Sequence, residues 1–181
     1  AASRSAAVSV PAANSSSSCR LWSRNTAVAA VSSAGAGVAS RGQPVADTDP
    51  REPDRLWKTH VYSAWALAKL VVPGMRRQGG GSIINIGSTG WLNKTGGYPA
   101  YATAKASVMG LTRGLARELG EQGIRINVVS PGWVMTERQL RLWATPDMEE
   151  VIARMQCLPG PLQPPDIAGM VSRDLVVPVF G

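Results

Sequence analysis

From Asp47 onward the chain alternates between apolar stripes of helical spacing and short unbroken apolar runs. Pro53 and Asp54 can open a helix, after which Trp57, Val61, Ala64, Trp65, Ala68 and Val72 recur at intervals of three and four, the stripe of a helix that buries one face. Pro73 and Gly74 weaken that pattern. Gln78-Gly79-Gly80-Gly81 then turns the chain into Ser82-Ile83-Ile84-Asn85-Ile86-Gly87, a run so apolar that it predicts a buried parallel strand rather than a half-exposed one. After a loop rich in Gly and Thr, Pro99 suits the first turn of a second helix, on which Val108, Leu111, Leu115 and Leu119 share a face and Gly123 marks the exit. Ile124 to Val129 reads as a second buried strand, ended by Pro131-Gly132. Helices are expected over 146–156 and 164–171.

Helix, strand, helix, strand is a βαβ order, which implies a parallel sheet with helices on its faces and a right-handed crossover. Ligands of such sheets bind beyond the carboxyl ends of the strands, so the loops after Gly87 and after Ser130 carry the functional expectation. Residues 1–46 differ. They are Ala- and Ser-rich, include the run Ser15 to Ser18 and show no sustained periodicity, so they read as a low-complexity, disordered or poorly packed segment preceding an α/β domain at 47–181. An import signal and a non-native reading frame stay open as alternatives for that stretch.

At 181 residues the chain is long enough for one core. The most apolar stretch, 61–72, is broken by Ser63 and Lys69, which excludes a membrane-spanning helix. Cys19 and Cys157 lack metal-ligand spacing and fit a reducing, cytoplasmic compartment, with Cys157 read as a small buried hydrophobe. The net charge of +7 invites a nucleic-acid partner, but four of its units are Arg4, Arg20, Arg24 and Arg41, all before the first acid, Asp47. Basic residues are not clustered or interleaved with aromatics, so nucleic acid is not expected.

The chemistry concentrates on the second helix. Tyr101 and Lys105 are an i, i+4 pair on one face. An ammonium that close to a phenol favours the phenolate, and the helix N-terminus adds partial positive charge. Ser88, at the carboxyl end of the preceding strand, can hydrogen-bond a substrate oxygen beside the phenol. Ser88, Tyr101-x-x-x-Lys105 and Asn127-x-x-x-Pro131-Gly132-x-Val134-x-Thr136 resemble the core of the short-chain dehydrogenase/reductase family, as do Gly110-Leu111-Thr112 and Gly123-Ile124-Arg125-Ile126-Asn127.

The resemblance implies an α/β, partial Rossmann-like doubly wound parallel sheet and NAD- or NADP-dependent hydride transfer to or from a hydroxyl or carbonyl substrate. Tyr101 would be the general acid/base, Lys105 would lower its pKa and hold the nicotinamide ribose, and Ser88 would orient the reacting oxygen. His60, where the family usually carries an Asn, would hold a water of the proton relay. Pro131, Gly132, Val134 and Thr136 would contact the nicotinamide. The stretch 132–139, with Leu142-Trp143 and Gln156-Cys157-Leu158, is similar to the branch containing sugar 1-dehydrogenases. Tyr98, Trp133 and Arg138 would then face a small-molecule polyol, and Gln139 and Trp143 could join them. The family's Gly-rich strand-turn-helix has no convincing counterpart, since Gly35-Ala36-Gly37 with Gly42 lacks the spacing, and the final core strand is missing after Val171. An alternative is therefore an inactive fragment that keeps the family's association helices, near 55–76 and 99–121, and forms a homo-oligomer through them.

Overall fold

The computed structural model describes residues 19–24, 27–32, 44–93, 96–143, 145–157 and 160–174. Gly35, Ala36, Gly37 and Gly42 lie outside them, as does the side chain of Trp143. Among the described residues a four-stranded sheet forms in the order β1 (Cys19–Arg24), β2 (Ala27–Ser32), β3 (Gly81–Ile86), β4 (Ile124–Val129). β2, β3 and β4 run parallel, with Ile83 level with Ala30 on one side and Ile126 on the other. The edge strand β1 runs antiparallel to β2, so the sheet is mixed rather than parallel throughout. The two additional strands fall inside the stretch read as low complexity. β2 forms by pairing onto the edge of β3, and β1 by pairing onto β2, a tertiary influence that outweighs weak local preference.

One continuous helical segment leads into β3: α1 (Glu52–Trp57), a π turn (Lys58–Tyr62) and α2 (Ser63–Arg77). It buries Leu56, His60, Val61, Ala64, Ala68, Val71, Val72 and Met75, whereas Trp57 and Trp65 are 48% and 57% exposed. The expected stripe is thus corrected at both tryptophans. The extra residue of the π turn shifts the inward face, so Leu56 points inward above the turn and the consecutive pair His60 and Val61 within it. The helix also continues through the exposed Pro73 to Arg77.

α3 (Pro99–Leu119) follows β3 and returns the chain to β4 through Gly123, whose φ of 71° lies in the left-handed region that glycine tolerates best. Ala68, Val71, Val72 and Met75 of α2 pack with Ile83, Ile124, Ile126 and Leu119 to form the main core. A second cluster, Leu56, Val61, Ala104 and Val108, lies beside Tyr101 and Val128, toward the carboxyl ends of the strands. β3 is buried over almost its whole length, as its composition demands.

Beyond β4 come α4 (Glu137–Trp143), α5 (Met148–Met155) and α6 (Pro164–Asp174). α4 was not expected, although Thr136-x-x-Gln139 has the form of a capping pair. Thr136 Oγ1 accepts from the Gln139 amide at 3.1 Å and starts the helix. Met135, Met148 and Ile152 form a small core of their own, and Val134 bridges to Leu162, where the Met135 amide donates to the Leu162 carbonyl at 2.8 Å. Cys157, just past α5, is exposed, not buried, because it follows the helix in a connecting segment.

Candidate active site

β3 ends on Gly87, whose amide extends the ladder to the Val129 carbonyl at 2.7 Å. A Cβ at 87 would stand 2.5 Å from Ser130 Oγ and 3.0 Å from Val128 Cγ2, so the close approach of the two strand ends requires glycine. Ser88 continues in extended backbone and caps a 3-10 turn, Thr89–Trp91, its Oγ accepting from the Gly90 amide at 3.1 Å. The Thr89 amide and hydroxyl both donate to the Pro131 carbonyl, at 3.1 and 3.3 Å. The loops after β3 and β4 are thereby tied together, as the sheet topology predicts for a ligand crevice.

Tyr101 stands in the first turn of α3, between two aromatic neighbours. The His60 ring meets it edge-on at 5.5 Å and 84°, and the Tyr98 ring at 6.1 Å and 81°. Ser88 and Tyr101 border the same space at Gly90, where a Cβ would stand 3.3 Å from Ser88 Oγ and 3.7 Å from Tyr101 Cε1. One turn further along, Lys105 is 5% exposed, lies 5.9 Å from the centre of the Tyr101 ring and donates from Nζ to the Ile86 carbonyl at 3.0 Å. The structure thus brings Ser88, Tyr98, Tyr101, Lys105 and His60 into one cluster.

The electrostatics correct one expectation. Burial pushes the Tyr101 phenol above its ordinary range, the Ser88 hydrogen bond pulls the other way, and Tyr98 adds to the rise. Burial also lowers Lys105 to about 8. The lowering expected from Lys105 does not prevail, because burial is the largest influence on the phenol and disfavours the ammonium as well. Tyr101 therefore holds its proton, and Lys105 is the group that gives one up more readily.

The residues after β4 are placed differently. Pro131 and Gly132 adjoin Thr89, Val134 is tied to Leu162, and Thr136 caps α4. Trp133 is 39% exposed, and Arg138 is partly exposed in the first turn of α4. Sequence reasoning missed Thr89 and Gly90, although Ser88-Thr89-Gly90 is a run of turn-forming residues. It also missed the buried link from Asn85 Nδ2 to Thr112 Oγ1 at 3.0 Å, which joins β3 to α3 behind the cluster. Among the described residues no group of His, Cys, Asp and Glu could hold a metal ion, and no helix is long and apolar enough to cross a membrane.

Comparison with known proteins points to one family. A family model described as Enoyl-(Acyl carrier protein) reductase matches residues 26–173. The chain is 49% identical over 119 residues to the protein named "Probable galactose dehydrogenase GalD" of Rhizobium meliloti, covering 64% of this chain and 45% of that one. It is 46% identical over 101 residues to the D-xylose 1-dehydrogenase of Caulobacter vibrioides, covering 56% of this chain and 40% of that one. A solved 7α-hydroxysteroid dehydrogenase, complexed with NADH and 7-oxo glycochenodeoxycholic acid, superposes with a TM-score of 0.68 at 34% identity, covering 76% of this chain and 52% of that one. The chain spans less than half the length of these two curated relatives.

Proposed function

Because the chain belongs to the short-chain dehydrogenase/reductase family, we propose that it serves NAD(P)-dependent oxidation or reduction at a hydroxyl or carbonyl carbon, with a sugar or related secondary alcohol as substrate. The observation that carries the reading is the cluster itself: a phenol and the Ser88 hydroxyl bordering one space at Gly90, with a buried amine 5.9 Å from the phenol ring. The sugar is favoured by the likeness to proteins named as galactose and xylose dehydrogenases.

In this reading Tyr101 gives its proton to a carbonyl oxygen in reduction, or takes one from a hydroxyl in oxidation, and Ser88 holds that oxygen. The raised pKa keeps Tyr101 protonated in the free protein, which suits the acid role directly. For the base role the phenolate needs a nearby cation, and Lys105 supplies it when protonated. His60, against the Tyr101 ring, lies where a proton could be passed onward. The residues fit the nicotinamide end of the cofactor: Lys105 has three N–H donors, one of them engaged by Ile86, which leaves others for a ribose hydroxyl. Thr136 keeps its hydroxyl proton while its oxygen caps α4, so it remains a donor for a carboxamide, beside Pro131, Gly132 and Val134. The bound nicotinamide supplies the hydride acceptor or donor. Tyr98, Trp133 and Arg138 would contact the substrate.

The direct test mixes the full chain with NAD or NADP and D-galactose, D-xylose or a small secondary alcohol, and follows nicotinamide absorbance. Formation of reduced cofactor with a sugar is expected; none with any substrate overturns the catalytic reading for this chain. A second reading rests on a separate observation, the exposure of Trp57, Tyr62 and Trp65 on one helical segment. In it, that segment and α3 associate with their counterparts in a second copy, and sedimentation of a strict monomer contradicts it.

A further inference from the structure

We propose that Gly90 is a positioning residue for this proton transfer: its backbone N–H fixes the oxygen of Ser88, and its missing side chain leaves that oxygen beside the Tyr101 phenol. The inference rests on the roles given above to Ser88 and Tyr101.

A serine hydroxyl has one proton to donate and two lone pairs to accept with. The Gly90 N–H occupies one lone pair, at 3.1 Å. The hydroxyl proton is thereby directed elsewhere, and Tyr101 borders the same space, since a Cβ at 90 would stand 3.3 Å from Ser88 Oγ and 3.7 Å from Tyr101 Cε1. A hydroxyl that already accepts one hydrogen bond also donates a stronger one.

Space points the same way. Gly90 is absent from the glycines with positive φ, so its backbone conformation does not demand glycine. Its surroundings leave little room beside the Ser88 hydroxyl. A Cβ at 90 would stand 3.3 Å from Ser88 Oγ, 3.6 Å from Tyr98 Cε2 and 3.7 Å from Tyr101 Cε1. The last two are ordinary van der Waals contacts, and only the first is crowded. The two rings are packed edge to face, with His60 on Tyr101 as well, whereas the hydroxyl is a single atom on a rotatable bond. Any side chain at 90 therefore displaces the Ser88 hydroxyl before it moves the rings.

The test follows Tyr101 in the full chain labelled with carbon-13 at tyrosine Cζ, with Tyr62 and Tyr98 assigned by Phe substitution. Ser88→Ala is expected to move the Tyr101 titration upward by about half a pH unit or more. Gly90→Ala is expected to move it in the same direction by less and to leave Tyr62 unchanged. An amide-to-ester replacement at 90 removes the N–H without adding a side chain and is expected to do likewise; it decides the matter if Gly90→Ala does not fold. The Gly90 amide proton should also shift in Ser88→Ala. The proposal is overturned if Ser88→Ala moves Tyr101 while both Gly90 replacements leave it at the wild-type value. If Ser88→Ala itself has no effect, the Ser88–Tyr101 pairing beneath the proposed function fails, which is a distinct result.

Discussion

The carboxyl ends of β3 and β4 meet in one crevice but are built in opposite ways. At the end of β3, Lys105 is almost wholly buried, Tyr101 is flanked by two rings, and Ser88 is held by a backbone amide. Burial there sets the proton affinities. At the end of β4, Gly132, Trp133 and Thr136 are exposed, and the order comes from backbone ties, the bridge to Leu162 and the cap of α4. Groups proposed to move protons thus sit where packing fixes them, and groups proposed to select a substrate sit on a surface segment that can change without disturbing the core.

Substitutions can break or sharpen that contrast. The largest expected loss is at the packed end: Gly87→Ala drives a Cβ against Ser130 and Val128 and should cost about 3 kcal/mol in urea denaturation, at the upper end for overpacking. Lys105 makes stability depend on pH. Its folded-state pKa of about 8 lies below the ordinary lysine value of 10.5, so the unfolded chain binds more protons between the two, and stability rises with pH there. The wild-type chain should gain about 2 kcal/mol between pH 7 and 9.5, and Lys105→Met should not. The raised Tyr101 acts in the other sense, eroding stability only above the ordinary tyrosine range. Thr112→Val removes the acceptor for Asn85, whose other amide atom, Oδ1, is already buried without a partner. A loss of about 1.5 kcal/mol is expected, read from the denaturation midpoint. At the exposed end, Trp133→Ala should change stability by less than about 0.5 kcal/mol while altering the order in which sugars are preferred. A large stability loss at Trp133 would erase the contrast.

Much of the packed end was legible in the sequence. β3 and β4 announce themselves as short β-branched runs between glycines, and the spacing of Ser88, Tyr101 and Lys105 places all three at one strand end. The strands within 19–32 were not legible, because neither Cys19–Arg24 nor the Ala-rich Ala27–Ser32 shows the strict alternation of a half-buried strand, and they pair through β2 onto the edge of β3. The π turn was not legible either, since an inserted residue changes which positions face inward without changing composition, and Trp57 and Trp65 were misplaced for that reason. The proton affinities of Tyr101 and Lys105 follow first from burial, which residue spacing does not encode.

That the proton chemistry resides on Tyr101, while the β4 end holds cofactor and substrate, is read from the turnover of Tyr101→Phe across a panel of aldoses. The account predicts a loss of about 10³-fold for every sugar the wild-type chain oxidises, with the order of preference preserved. Turnover that survives the substitution, or falls for one sugar alone, would contradict it.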